Sequence, residues 1–281
     1  MIVLPKYTHM TFKLVRVFFL MLFLVASGSV KADDGYKLWQ RYEQVQDQAK
    51  LQAYRQALNE LIIQGSSPTL TIAQQELQTG LSGLLGQVVP SSQQASKQNI
   101  LVAGTPASSA IIKELALTDK LKAVGEEGYL LLNTTKNNKK YTVIAANTDI
   151  GVLYGSFHFL RLLQTQQDIN NLAVASAPKI KHRVLNHWDN LDRTVERGYA
   201  GFSLWDWHRL PGYIDQRYID YARANASVGI NGTVLTNVNA NALVLTEDYL
   251  KKVAALADTF RPYGIKAVSY THLTLPTICS V

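Results

Sequence analysis

The chain has 281 residues, of which 47% are hydrophobic, 17% charged and 9% aromatic, a composition that excludes collagen-like, disordered and multi-span membrane proteins. Its single cysteine, Cys279, rules out an intrachain disulfide and a thiolate metal cage. The formal charge is +7, but Lys6, Lys13, Arg16 and Lys31 all fall in the first 32 residues, which hold no acid, so the basic balance does not point to nucleic acid.

Those 32 residues read as a secretory signal peptide: a basic stretch with Lys13 and Arg16, ten apolar residues over 17–26, then Val30-Lys31-Ala32 as a small-x-small cleavage site. The run is too short to span a bilayer, for which a helix needs about 20 residues. Export is expected, to the periplasm, the envelope or the medium, with the mature chain starting at Asp33 and Met10 as a plausible true start.

Residues 36–63 carry apolar side chains near helical spacing (Leu38, Tyr42, Val45, Leu51, Tyr54, Leu58, Leu61) and are predicted to form a long amphipathic helix. A second helix is predicted over 71–85, where Gly80, Gly83 and Gly86 mark a glycine-rich helix end; they do not match the dinucleotide fingerprint. A strand at 100–103, a serine-capped helix at 108–117, strands at 129–132 and 141–145 around a polar loop, and a buried helix at 151–164 complete an α/β unit. His158 reads as a satisfied core histidine within that last helix.

A composition shift at Ala175-Ser176-Ala177-Pro178 ends this domain, assigned to 33–177. Beyond it the order becomes strand (183–188), long loop (191–213), helix (217–228), strand (232–238) and helix (247–260), with Gly264-Ile265-Lys266 opening a third strand. Two strand–helix units in succession predict the opening of a parallel barrel or of a doubly wound sheet. Residues 267–281 end in a proline-interrupted run and read as a non-native tail.

The densest cluster of functional residue types, Asn186-His187-Trp188-Asp189-Asn190-Leu191-Asp192-Arg193, lies at the C-terminal end of the first of these strands. Alternation places Val184, Asn186 and Trp188 on one face, Leu185 and His187 on the other. Trp188 suits stacking on a sugar ring, with polar neighbours for its hydroxyls; it suits equally a core cap, with Asp189 and Asn190 in turn hydrogen bonds. The same two readings hold for Asn237, Asn239 and Asn241 after the second strand, and for Trp205 and Trp207 between the strands. Asp189 with Asp192, or Glu196 with Asp206, are conceivable carboxylate pairs that nothing distinguishes from loop acids. His182 and His187 fall on opposite faces of a strand and cannot share a metal, and no nucleophile elbow, metalloprotease helix or phosphate loop occurs. No cofactor and no metal are expected.

Several motifs resemble the α-glucuronidases of glycoside hydrolase family 67. They are Asp34-Gly35-Tyr36-Lys37-Leu38-Trp39, Glu76-Leu77-Gln78-Thr79-Gly80-Leu81-Ser82-Gly83-Leu84-Leu85, Gly128-Tyr129, Gly151-Val152-Leu153-Tyr154-Gly155-Ser156-Phe157-His158, and His187-Trp188-Asp189-Asn190 followed by Glu196-Arg197-Gly198-Tyr199. Residues 232–239 and Phe260-Arg261-Pro262-Tyr263-Gly264-Ile265-Lys266 are similar too. The resemblance implies an N-terminal α+β sandwich-like domain followed by a (β/α)8 barrel, of which residues 178–266 would be the first two β/α units, truncated. It implies inverting removal of 4-O-methyl-glucuronic or glucuronic acid, α-1,2-linked to xylose in glucuronoxylan oligosaccharides (aldouronic acids).

The family's catalytic carboxylates come from later barrel strands, so this chain alone is expected to be inactive and no catalytic residue is assigned to it. Trp188 and Val238 match the apolar walls beside the sugar and its 4-O-methyl group; Asp189, Asn190, Asn237 and Asn239 are hydroxyl contacts or their supports. A second copy of the full-length enzyme, as a homodimer, is the other partner expected. The rival reading is a non-catalytic carbohydrate-binding or accessory module that stacks sugars on Trp188, Trp205 and Trp207.

Overall fold

The computed structural model describes residues 33–268; the signal-peptide reading and all of the tail after Val268 fall outside them. The chain divides into two compact units at Leu38 and Trp39. Of the first, residues 33–38 form a turn in which the Leu38 N–H donates to the Gly35 carbonyl at 3.0 Å.

In the second unit, helix α1 (Gln48–Ala57) is capped by Asp47, whose carboxylate accepts from the Ala49 and Lys50 N–H groups. The long helix predicted over 36–63 is therefore confined to ten residues. Glu60–Ile63 is instead β1, buried at every position and parallel to its neighbours. A strand covered on both faces shows no apolar/polar alternation, and its unbroken Leu-Ile-Ile run cannot be told from a helix end by periodicity.

The remaining elements of the first layer are α2 (Pro68–Leu85), β2 (Ser91–Ser92), β3 (Asn99–Gly104), α3 (Ala110–Glu114), α4 (Thr118–Val124), β4 (Tyr129–Lys136), β5 (Lys139–Ala146), α5 (Asp149–Gln164) and β6 (Ala173–Ser176). The strands form one mixed sheet in the order β2-β1-β3-β5-β4-β6, parallel from β2 to β5 and antiparallel from there. Side chains alternate across it. Leu61, Ile63, Leu101 and Ala103 join one core with α1, α2 and α5, whereas Ile62, Ile100 and Val102 join another with α3 and α4. The expected α/β unit is thus a mixed sheet with helices on both faces.

Two local readings change. The polar stretch after residue 132 is not a long loop, because β4 and β5 pair as far as Lys136 and Lys139 and leave only Asn137-Asn138 at the tip, with φ of 49° and 59°. Asparagine tolerates that left-handed turn better than other side chains, which permits a two-residue hairpin. The glycines of α2 serve packing as well as termination. Gly86 ends the helix in the left-handed region, while a Cβ at Gly80 would stand 2.5 Å from Leu160 of α5.

Glu60, 2% exposed, pins the 91–98 segment to the sheet. Its carboxylate accepts from the Ser96 hydroxyl (2.6 Å) and N–H (2.9 Å), the Lys97 N–H (3.0 Å) and the Ser92 hydroxyl (2.8 Å). Burial alone would raise its pKa; these donors reverse that and bring it from 4.5 down to about 2. A depressed folded-state pKa gives stability that is complete above pH 4.5 and lost as pH falls through about 2. The expected loss across that window is roughly 3 kcal/mol, from about 1.4 kcal/mol per pKa unit. Urea midpoints measured against pH should show the loss in the parent and a flattened profile in Glu60→Gln.

The second layer is a three-stranded, all-parallel sheet in the order β7 (Val184–Asn186), β8 (Gly232–Val234), β9 (Lys266–Val268). Helix α6 (Gln216–Ala226) connects β7 to β8, and α7 (Glu247–Phe260) connects β8 to β9. Among the described residues this sheet is open. Ala267 and Val268, assigned above to the tail, belong to β9, and Ala267 is buried. A single hydrophobic core runs from Leu81 and Phe157 to Trp205, Phe260 and Ile265, continuous across residue 177.

Candidate functional site

Parallel strands end on the same side of their sheet, so the loops that follow β7 and β8 emerge together. Two backbone hydrogen bonds join them: His187 N–H to the Val234 carbonyl at 3.0 Å, and Asn237 N–H to the Asp189 carbonyl at 2.8 Å. The first loop folds back on itself. Glu196 N–H donates to the Trp188 carbonyl at 2.8 Å, and antiparallel bridges pair Asp189 with Val195 and Thr194 with Phe202. Arg193 and Glu196, with φ of 72° and 57°, take the sharp corners.

Trp188 on this ribbon is 46% exposed, and on the loop after β8 Val238 is half-buried and Asn239 exposed. Trp188 does not cap the core. Asp189 is 4% exposed; one carboxylate oxygen accepts from the Ser203 hydroxyl at 2.5 Å and the other lies 3.7 Å from His187 Nδ1. The Asn190 amide donates to Thr194 Oγ1 (2.9 Å) and the Glu196 carbonyl (2.7 Å). The buried Asn237 side chain accepts from the Asn239 N–H at 2.9 Å. The six candidates thus lie on two loops joined by the Asn237–Asp189 backbone bond: Trp188 and Asn239 are exposed and Val238 half-buried, while Asp189, Asn190 and Asn237 hydrogen-bond within the loops.

Trp205 and Trp207 are not part of the exposed rim. Both are fully buried. Trp205 lies among His187, Tyr218, Tyr221 and Phe260 with ring centroids 5.2–5.7 Å apart, and Trp207 packs on Tyr249. The accessory-module reading loses two of its three stacking platforms.

Two of the other carboxylates of this loop have partners, and a third keeps an oxygen without one. Asp192 accepts from Thr194 and Asp206 pairs with Arg193 at 3.0 Å. Glu196 keeps one buried oxygen without a hydrogen-bond partner. Residues the sequence reading passed over lie beneath the rim. The Tyr221 hydroxyl bridges His187 Nε2 and Thr233 Oγ1, each at 2.8 Å. Burial pushes its pKa up to about 12, so it stays protonated. Tyr221 sits on a helix 34 residues from His187, and no local spacing announces that contact. His158, as expected, is satisfied, its Nδ1 lying 2.9 Å from the Tyr129 hydroxyl. Among the described residues no group of His, Cys, Asp or Glu could hold a metal.

A rigid polar floor carrying one exposed indole and an apolar neighbour can stack a sugar ring and discriminate its substituents. Comparison with known proteins shows the family. Residues 38–159 match the glycosyl hydrolase family 67 N-terminus and residues 162–278 the glycosyl hydrolase family 67 middle domain. The chain is 33% identical over 240 residues to an Aspergillus oryzae protein named "Probable alpha-glucuronidase A", covering 84% of this chain and 27% of the relative. It is 30% identical over 257 residues to alpha-glucuronidase A of Emericella nidulans, covering 88% and 29%. The chain therefore spans less than a third of the length of these relatives. A solved family GH115 4-O-methyl-α-glucuronidase with specificity for decorated arabinogalactans superposes with a TM-score of 0.51 at 13% identity, over 75% of this chain and 28% of that one, a likeness of fold alone.

Proposed function

Because the chain belongs to glycosyl hydrolase family 67, we propose that the protein it represents is an α-glucuronidase that removes 4-O-methyl-glucuronic or glucuronic acid, α-1,2-linked to xylose, from glucuronoxylan oligosaccharides by inverting hydrolysis. The observation that supports this reading is the exposed Trp188 on a loop that is hydrogen-bonded, through Asp189 and Asn237, to the loop carrying Val238 at the C-terminal ends of β7 and β8. In this reading β7, β8 and their helices open a (β/α)8 barrel, whose active sites are built at that end. Trp188 stacks on the uronic acid and Val238 packs on its methyl group. One buried methyl contributes only about 1 kcal/mol, so the pair tunes preference between methylated and bare acid.

Inversion needs an acid at the leaving oxygen and a base about 6.5–9.5 Å away that activates water. Asp189, Asp192 and Asp206 are held by other groups, Glu196 alone of the four keeps a buried unpartnered oxygen and cannot supply both functions, and the pair is assigned to strands that follow β9. Export directed by residues 1–32 would bring the enzyme to xylan fragments outside the cytoplasm. Assaying the intact gene product on aldouronic acids tests the proposal: release of the uronic acid as its β-anomer is expected. Intact aldouronic acids after prolonged incubation would refute it.

A further inference from the structure

A second concavity lies away from the Trp188 rim, where α5 and β4 meet the turn after α6. It has a volume of about 240 Å³, and its lining includes Tyr129, Tyr154, His158, Arg161, Glu127 and Arg183. Two of these charges cancel. The Arg183 guanidinium meets Glu127 at 2.5 Å and spends its other nitrogens on the Gly229 and Ile180 carbonyls, and Asn231 donates to the same carboxylate at 3.0 Å.

Arg161 is the surplus cation. Its guanidinium lies over the Trp39 ring, 4.8 Å from the centroid, and among the described residues only Nη2 is hydrogen-bonded, to the Ser227 carbonyl at 2.8 Å. Nε and Nη1 remain for a ligand, in the fork that suits a carboxylate. Tyr154 supplies the second observation. It is 7% exposed, yet among the described residues its hydroxyl has no well-formed hydrogen bond; burial and then the Glu127 charge raise its pKa, and the Arg183 guanidinium, which approaches the hydroxyl, tempers the rise. A buried hydroxyl left unpaired is costly, which marks a place where a ligand's polar atom would fit. Opposite it, the Tyr129–His158 pair offers further donors and acceptors, and burial followed by the Arg161 charge keeps His158 neutral.

We propose that this cleft is a binding site for a small sugar acid: a single pyranose ring whose carboxylate is taken by Arg161 and one of whose hydroxyls is taken by Tyr154. The aromatic walls exclude water from one side of the ring, and the volume admits one ring rather than a chain. The site is separate from the rim and does not depend on the hydrolase reading.

Titration of the full chain with D-glucuronate, followed by calorimetry and by NMR, tests it against D-glucose and acetate. Saturable binding of glucuronate is expected, at least about tenfold tighter than either control, since the site reads charge and hydroxyls together. Measured in a Trp188→Ala background, which removes the wall proposed to stack on the uronic acid, Arg161→Gln should weaken binding by about tenfold or more and Tyr154→Phe by about fivefold. Tyr154→Phe should also leave the thermal midpoint of the free protein unchanged or raised, because it removes an unpaired buried group. Equal affinity for glucose or acetate, no binding in the Trp188→Ala background, or full affinity on adding Arg161→Gln to it would overturn the assignment.

Discussion

Replacing Glu76 with alanine is expected to lower the unfolding free energy by about 3 kcal/mol, a large share of the roughly 5–15 kcal/mol that a domain commands. Glu76 is 5% exposed on α2. Its carboxylate accepts from Arg223 twice, at 2.7 Å each, and from the Tyr42 hydroxyl at 2.5 Å. Arg223 belongs to α6, the helix behind β7 and β8, so this one side chain ties the first layer to the second. Burial pushes the Tyr42 pKa far up, with the Glu76 charge adding to it, and the hydroxyl remains a donor at any physiological pH. Burial disfavours the Arg223 charge as well, but the Glu76 bond and charge outweigh it and hold the guanidinium protonated.

Removing the carboxylate strands a partly buried cation and a buried phenol, which is why the cost exceeds that of an exposed ion pair, worth at most about 1 kcal/mol. Arg223 retains 25% side-chain exposure, and that places the figure at the low end of the range for buried pairs. Equilibrium denaturation measures it. A change below about 0.5 kcal/mol would show that water replaces the carboxylate at no cost.

The second large effect separates two tryptophans that look alike in the sequence. Trp205→Ala should cost about 3–5 kcal/mol, because it empties a fully buried indole site ringed by four aromatic side chains. Trp188→Ala should cost less than about 1 kcal/mol, because nearly half of that side chain is already in water. Denaturation midpoints of the two variants compare them directly. Equal losses would mean that Trp188 serves the core and the rim has been misread.

Elements whose pattern is complete within a short window were legible. Helix α7 has the predicted bounds, α5 begins two residues earlier than expected, and β7 and β8 lie within the strands anticipated at 183–188 and 232–238 but are only three residues long each. Elements defined by their partners were not. Glu60–Ile63 is a strand because β2 and β3 flank it, and Asn133 to Lys136 are strand because β5 runs opposite.

The site divides along the same line. An aromatic residue directly after a parallel strand could be placed at the rim from order alone, and Trp188 is there. That Asp189 turns inward toward Ser203, or that Trp205 and Trp207 are swallowed by Tyr218, Phe260 and Tyr249, follows from contacts between residues distant in the chain. Aromatic and acidic side chains carry no local mark that tells a binding role from a packing role.

The wall that Trp188 and Val238 are proposed to form is tested most directly by steady-state kinetics of the intact gene product on an aldouronic acid, with and without Trp188→Ala. The account predicts a fall in kcat/KM of about tenfold or more, with the urea midpoint nearly unchanged, as expected when stacking on the reacting sugar is lost and the fold is not. An unaltered kcat/KM in a folded Trp188→Ala protein would contradict it.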